Sequence, residues 1–178
     1  MNPIEIKDCL DSMIILVDTR EQPSSRAIKR YESFGCPYER KKLEYGDYTY
    51  NFKLPDGKWL FEPDMKVEGH AIIERKMNLE ELSGCFCQQR DRFRREFERA
   101  CQSSAKIHLL IEDASYEKII NHRYKTKFEP NAFLASLTAW SARYGISVEF
   151  IQHELSGRLI KEILYRELKE RLEAAFYG

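Results

Sequence analysis

The chain has 178 residues and carries 29 lysines and arginines against 29 aspartates and glutamates. Because this balance leaves no net positive charge, it argues against a histone-like protein that coats nucleic acid. Apolar residues make up 43% of the chain and aromatic residues 12%, which is enough for a hydrophobic core and argues against disorder. The sequence contains neither an apolar run of the about 18 residues that a membrane helix needs nor a signal-peptide pattern. We therefore expect a soluble, cytoplasmic protein without membrane contact.

The five cysteines are odd in number and include no pair separated by two residues. This pattern argues against a disulfide framework and a zinc ribbon, and it favours a reducing compartment. Cys85 and Cys87 do not match the spacing of structural zinc ligands, so we interpret them as ordinary thiols.

Three short apolar runs, each ending in acidic residues, are the clearest structural signals along the chain. They cover residues 13–21, 71–76 and 107–113, and each is typical of a strand buried on both faces. Between them, a helix is predicted over 24–34, with apolar positions at Ala27, Ile28, Tyr31 and Phe34. A longer helix is predicted over 78–101, where six apolar residues follow helical spacing on one face. These six are Leu79, Leu82, Phe86, Phe93, Phe97 and Ala100.

Residues 38–62 alternate aromatic and polar side chains around the turn Pro55-Asp56-Gly57, which predicts antiparallel strands joined by a hairpin. Toward the C-terminus we predict helices over 115–121, 131–143 and 159–176 and a strand over 147–151. These elements indicate an α/β fold with a mixed sheet flanked by helices. We assign residues 1–178 to a single domain, with the functional motifs at about 13–113 and a C-terminal helical part at about 115–178.

The acidic ends of the predicted strands locate the candidate site. The carboxyl ends of strands in an open α/β sheet gather functional groups at one edge, and here the strands end in Asp18/Glu21, Glu74/Lys76 and Glu112/Asp113. Gly46 then allows a sharp turn that delivers Asp47 at the start of the next strand. For Glu112 and Asp113, capping of the following helix is the favoured interpretation.

Glu74 and Lys76 are two residues apart on a strand and therefore share a face, whereas Arg75 points to the other. Together with Asp47, Glu74 supplies two oxygen ligands that suit Mg²⁺ or Mn²⁺, and Lys76 would lie beside a reacting water. This combination predicts a metal-dependent phosphodiesterase. The alternative from the spacing alone is a solvated acid–base pair at a strand end.

The motifs VDTRE at 17–21, GDY at 46–48 and IERK at 73–76 occur in that order and precede an arginine-rich helix. Over about residues 13–100 they closely resemble the nuclease domain of the XPF family of structure-specific endonucleases. The resemblance implies a restriction-endonuclease-like fold and cleavage of branched or flapped DNA with Mg²⁺ or Mn²⁺. It also implies active-site roles for six residues, with Asp18, Asp47 and Glu74 closest to the metal. The six are Asp18, Glu21, Asp47, Glu74, Arg75 and Lys76.

The sequence departs from the family pattern in two respects. Glu80 stands where the family usually has an aspartate after its ERK motif. The chain also lacks the helix-hairpin-helix modules that follow the nuclease domain in eukaryotic and archaeal members, so it looks more like the short bacterial or phage forms. DNA-structure preference is therefore not carried over from the family.

Several cations are candidates for contact with DNA. Arg20 shares the face of Asp18 and would either meet the scissile phosphate or hold a carboxylate in a buried ion pair. Arg90 corresponds to a basic residue near the cut site in the family, and Arg94 lies on the same helix. Arg92, Arg95 and Arg99 fit a solvated helix face equally well. The basic segment 122–127 is either a strand-binding loop or an ordinary exposed loop.

The leading functional hypothesis is a DNA endonuclease of repair or recombination in which Lys76 polarises the attacking water. The alternatives are a non-catalytic DNA-binding or scaffolding relative, and a nuclease acting on RNA. A homodimer is also predicted, because an apolar stripe in the last helix is longer than docking on its own sheet needs. The stripe comprises Leu159, Ile160, Ile163, Leu164, Leu168, Leu172, Ala175 and Phe176.

Overall fold

The computed structural model describes residues 1–177, with side chains as far as Ala175. Six strands form one sheet: β1 (Ile14–Asp18), β2 (Tyr38–Lys41), β3 (Tyr48–Asn51), β4 (Ala71–Lys76), β5 (Lys106–Glu112) and β6 (Ser147–Ile151). The strand order across the sheet is β2-β1-β3-β4-β5-β6. The helices are α1 (Pro3–Asp11), α2 (Ser25–Glu32), α3 (Leu79–Cys87), α4 (Arg90–Gln102), α5 (Tyr116–Ile120), α6 (Pro130–Tyr144) and α7 (Ser156–Tyr177). This architecture confirms the predicted mixed sheet flanked by helices.

Strand direction brings the predicted acidic strand ends to one edge of the sheet. The pairings β1 with β2, β4 with β5 and β5 with β6 are parallel. Only β3 runs the other way, antiparallel to both β1 and β4. The carboxyl ends of β1, β4 and β5 therefore share one edge with the beginning of β3, where Asp47 lies. We call this the acidic edge.

Two large hydrophobic cores cover most of the two faces of the sheet, and a smaller cluster is formed by Leu16, Leu43, Phe61 and Val67. Alternate residues of β4 and β5 enter opposite large cores, because successive side chains in a strand point to opposite faces. One core joins α1, α2 and α7 to the face that carries Val17 and Ile73; we call this the back face. The other joins α3 to α6 to the face that carries Ile72 and Leu109, which we call the front face.

The last helix uses most of its apolar stripe within its own chain. Ile160, Leu164, Leu168 and Leu172 are buried in the back core, and Leu159 and Ile163 pack against that core. The four buried residues therefore leave no surface for a second subunit, whereas Leu159 and Ile163 are only partly buried and Ala175 is exposed, so the homodimer stays a prediction. Phe176 was part of the predicted stripe and lies outside the described side chains.

The structure differs from the sequence-based expectation at three places. The first helix, α1, was not predicted, although Asn2 and Glu5 form a capping box at its start. The predicted helix over 78–101 is two helices, because the amides of Gln88 and Gln89 both donate to the carbonyl of Gly84 and interrupt the regular bonding. The hairpin around Pro55–Gly57 is short: it has one bridge between Lys53 and Trp59, and the amides of Leu54 and Leu60 donate to the carbonyls of Lys58 and Phe52. Strand β2 pairs in parallel with β1 instead.

Among residues 1–177, no helix combines the length and the apolar character needed to cross a membrane.

Candidate active site

A pocket of about 520 Å³ opens at the acidic edge, between the ends of the strands and helices α3 and α4. The structure brings together there most of the residues that the sequence predicted. Predicted residues lining the pocket are Asp18, Arg20, Glu21, Asp47, Glu74, Arg75 and Lys76. Further charged residues of its wall include Glu80, Glu81, Arg92 and Glu96.

Asp47 is held by backbone groups of the neighbouring strand. Gly46 before it has a positive φ of 73°, and a Cβ atom there would lie 3.1 Å from a methyl group of Ile72. The amide of Asp47 donates to the carbonyl of Ile73 at 2.9 Å, and the amide of Arg75 donates to Oδ2 of Asp47 at 2.7 Å. The aspartate is therefore fixed to β4, the strand that carries Glu74.

Glu74 and Lys76 form a buried pair on the front face, as their spacing predicted. Lys76 Nζ lies 2.5 Å from Glu74 Oε1 and 5.0 Å from the ring centre of Phe93. Burial alone would lower the pKa of Lys76, but the charges of Glu74 and Asp47 raise it overall. Lys76 is therefore an ammonium group at neutral pH, which makes it a hydrogen-bond donor rather than a base.

Burial makes both carboxylates resist ionisation. The pKa of Asp47 is raised well above its usual value, first by burial and then by the charge of Glu74. Burial also raises the pKa of Glu74, and the neighbouring Lys76 opposes this effect only in part. A cation between the two carboxylates would relieve both costs.

The hydrogen bonds of the same two carboxylates leave oxygen atoms free for a divalent ion. Oδ2 of Asp47 and Oε1 of Glu74 have partners, whereas no described residue donates a hydrogen bond to Oδ1 of Asp47 or Oε2 of Glu74. Each side chain therefore keeps one oxygen free in a pocket open to solvent. Carboxylate oxygens are the ligands that Mg²⁺ and Mn²⁺ prefer, so the residues present fit the predicted metal.

Asp18, which the family resemblance places near the metal, has hydrogen-bond partners for both carboxylate oxygens. Its Oδ1 accepts a hydrogen bond from the amide of Leu43 at 3.2 Å, and its Oδ2 is paired with Arg20. Its backbone amide donates to the carbonyl of Asp47 at 2.9 Å. Both carboxylate oxygens are thus engaged, and the geometry favours a positioning role beside Asp47.

Glu21 and Arg75 belong to an ionic network that forms the rear wall of the pocket, which we call the back cluster. It comprises Glu21, Arg26, Arg30, Tyr48, Arg75 and Glu112. Glu21 Oε1 accepts from Arg30 at 3.1 Å and from Arg75 at 2.9 Å, and its Oε2 accepts from the hydroxyl of Tyr48 at 2.7 Å. Both oxygens of Glu21 therefore have partners within the back cluster.

Glu112 is the centre of the back cluster and was assigned to helix capping from the sequence. It is fully buried and accepts from Arg26 at 2.7 Å, from Arg30 at 3.1 Å and from Arg75 at 3.2 Å. Arg26 and Arg30 were not singled out in the sequence. The available signal was their spacing of four residues on α2, which places two cations on one face of a helix that packs on the sheet.

The arginines divide between the pocket and the outer surface. Arg20 lines the pocket and is half exposed. Arg90 lies outside the pocket wall, with its guanidinium 5.8 Å from the ring centre of Trp140. Arg94 pairs with exposed acids of its own helix, Asp91 and Glu98. Arg92 is instead the arginine of α4 that lines the pocket.

Comparisons with known proteins agree with this fold. The sequence profile of the ERCC4 domain matches residues 17–163. The structure of XPF from Aeropyrum pernix superimposes with a TM-score of 0.58 at 19% identity, covering 86% of this chain and 61% of that one. XPF from Aeropyrum pernix in complex with DNA gives a TM-score of 0.58 at 21% identity, covering 89% and 66%.

This chain thus spans less than two thirds of either XPF chain. A sequence comparison with curated proteins gives no significant match. The superpositions confirm the nuclease-domain fold that the motifs implied, and the profile match extends over most of the chain. The chain therefore belongs to the ERCC4 domain family.

Proposed function

We propose that this protein is a divalent-metal-dependent endonuclease that hydrolyses phosphodiester bonds in branched or flapped DNA. One observation carries the proposal: Asp47 and Glu74 each keep a carboxylate oxygen free in the pocket, beside the buried ammonium of Lys76. Two raised carboxylate pKa values next to a fixed cation are typical of a catalytic site. A fully satisfied structural ion pair would leave neither oxygen free.

The roles of the residues follow from their positions. Asp47 and Glu74 would hold Mg²⁺ or Mn²⁺, with Asp18 fixing the backbone beside Asp47. The ion, when bound, supplies positive charge that stabilises the phosphate and favours ionisation of water. Lys76 donates a hydrogen bond that orients the attacking water, and Arg20 and Arg92 line the pocket where the charge on the phosphate grows.

Arg75 would act indirectly in this mechanism. Its side chain is bound by Glu21 and Glu112 on the back face, while its backbone amide holds Asp47 on the front. The family resemblance implies that Arg75 and Glu21 matter for catalysis. In this proposal they do so by fixing the position of β4. Neither side chain needs to touch the substrate for this role.

A cleavage assay tests the proposal. The purified chain is incubated with labelled duplex, flap, fork and four-way-junction DNA in Mg²⁺, in Mn²⁺ and in EDTA. We expect cutting of a branched or flapped form only with metal, and its loss in Asp47→Ala and Glu74→Ala. Asp56→Ala, in the exposed turn between Lys53 and Trp59, is the matched control and should cut normally.

The outcomes separate this function from its rivals. Binding of all four DNA forms without cleavage in either metal would favour the non-catalytic relative. Faster cutting of the same structures made of RNA would favour an RNA nuclease. Unchanged cutting by the Asp47 or Glu74 variant would contradict the site assignment itself.

We also propose that residues 1–178 form a single nuclease domain. Homodimerisation is a separate proposal, supported by the family resemblance. Because Leu164 and Leu168 are fully buried in the back core, charged residues there would unfold the chain rather than divide a dimer. Light scattering over a concentration series is the appropriate test. A monomer mass that persists at tens of micromolar would rule the dimer out.

A further inference from the structure

A group of aromatic rings packs against the candidate active site on the front face of the sheet. Phe93 of α4 is buried and lines the pocket. Its ring is stacked on that of Trp140 of α6, with the ring centres 5.1 Å apart and the planes at 24°. Phe86 and Phe97 meet the same ring edge to face, with centres at 5.8 and 4.6 Å. Three aromatic neighbours therefore fix the plane of the Phe93 ring.

The Phe93 ring holds a cation over its face. Lys76 Nζ lies 5.0 Å from the ring centre, which is inside the about 6 Å limit of a cation–π contact. Both side chains are buried. The face of an aromatic ring carries the negative part of its quadrupole, and its attraction for an ammonium group grows when water is excluded. The contact is therefore an electrostatic interaction as well as a packing contact.

The position of Lys76 depends on this second contact. A lysine side chain is a flexible four-carbon stem with three N–H donors at its end. One donor is used by Glu74 Oε1, at 2.5 Å, and that carboxylate lies on the same strand as Lys76. Phe93 restrains the ammonium group from a different element, α4. Glu74 is also a proposed metal ligand, whereas Phe93 is not, so the hold of the ring on Lys76 does not depend on the metal.

We propose that Phe93 is a positioning residue for the reaction, and that the charge distribution of its ring holds the Lys76 ammonium where it can orient the attacking water. This inference rests on the proposed nuclease function and adds to it a residue that acts through Lys76. A reacting group that is misplaced by about 1 Å can cost about 10²-fold in rate. The rate of the chemical step should therefore depend on the electron density of the Phe93 ring.

Fluorinated phenylalanines separate the charge of the ring from its bulk. Fluorine atoms on the ring withdraw electron density from its face and weaken the attraction for a cation, while the size of the side chain changes little. Phe93 is replaced in turn by monofluoro-, difluoro- and trifluorophenylalanine. The same series at Phe97 is the matched control, because Phe97 is buried in the same core and no cation lies over its ring among the described side chains.

Thermal unfolding in EDTA measures the contact without cleavage. Each added fluorine at Phe93 should lower the melting temperature relative to the same substitution at Phe97, because only the ring at position 93 loses its attraction for a buried cation. Equal changes in melting temperature in the two series would overturn the proposal. This measurement has a clear result whether or not the protein cuts DNA.

Single-turnover cleavage of flap DNA at saturating Mn²⁺ measures the positioning role. From phenylalanine to trifluorophenylalanine at position 93, the rate should fall stepwise by about 5- to 30-fold in total, the factor that a cation–π contact represents. Mn²⁺ affinity from calorimetry and DNA affinity from anisotropy in EDTA should not change, since the ring binds neither. The series at Phe97 should cut at the wild-type rate. A rate that is constant at position 93, or that falls equally at position 97, would overturn the positioning role.

The two measurements keep the failure of this proposal apart from the failure of the nuclease proposal. Should wild type cut flap DNA at a rate that ring fluorination at Phe93 does not change, the positioning role fails and the nuclease proposal stands. A melting temperature that depends on fluorine at Phe93, in a protein that cuts no DNA, would confirm the contact with Lys76 and contradict the nuclease proposal.

Discussion

Removal of the negative charge of Glu112 should destabilise the fold strongly. Glu112 is fully buried, and its Oε2 accepts from both Arg26 and Arg75 while its Oε1 accepts from Arg30. In Glu112→Gln one of these oxygens becomes an NH₂ group that faces an arginine donor. Guanidinium groups then remain buried with too few acceptors.

The size of the effect follows from this loss. Breaking a buried ion pair by removal of one partner costs about 3–5 kcal/mol. For a chain of this length, each kcal/mol lowers the melting temperature by about 2–4 °C. The free energy of unfolding should therefore fall by about 3–5 kcal/mol and the melting temperature by about 6–20 °C.

Urea denaturation followed by circular dichroism measures this change at neutral pH. The matched control is Glu39→Gln, an exposed glutamate of edge strand β2, which should stay within about 0.5 kcal/mol of wild type. A change in Glu112→Gln no larger than that of the control would refute the view that the back cluster depends on this carboxylate.

Three further predictions concern the acidic edge. Asp47→Asn should stabilise the metal-free protein, and its free energy of unfolding should exceed that of wild type by an amount that grows from pH 5 to pH 8. The reason is that the raised pKa of Asp47 contributes stability to wild type at low pH, and this contribution is lost as pH rises through that pKa. A difference in EDTA that does not change with pH would contradict this prediction. Mn²⁺ affinity, measured by calorimetry, should rise from pH 6 to pH 8, since Asp47 and Glu74 must lose protons to bind the ion; the reverse trend would exclude these ligands. Lys76→Met should bind Mn²⁺ yet cleave about 10²-fold or more slowly in single turnover; weaker affinity with an unchanged saturated rate would show a different role.

The sequence allowed prediction of the front of the site because its signals are local. The two-residue spacing of Glu74 and Lys76 fixes their common face in any strand, and the glycine before Asp47 indicates a sharp turn. The apolar face of the 78–101 segment was also predicted correctly, since hydrophobic periodicity does not depend on the break at Gln88. Strand periodicity and strand ends thus located the acidic edge.

The back cluster could not be predicted in the same way because its partners are distant in sequence. Arg30 and Glu112 are 82 residues apart, and α2 reads from its sequence as an ordinary amphipathic helix. The predicted apolar face of α2 is also wrong at two positions, because Arg30 is buried and Ile28 is 45% exposed. Likewise, the sequence did not identify the arginine of α4 that faces the pocket. Its identity depends on the residue at which α4 begins, and residue spacing does not indicate that residue.

The hydrogen bond between the amide of Arg75 and Asp47 affects how mutagenesis of this site should be interpreted. Every substitution at position 75 except proline retains the N–H group, so alanine scanning removes only the part of Arg75 that lies on the back face. A mild phenotype of Arg75→Ala would leave the Asp47 contact intact and untested. An amide-to-ester replacement at that peptide, made by chemical ligation, would delete one donor and leave every side chain in place.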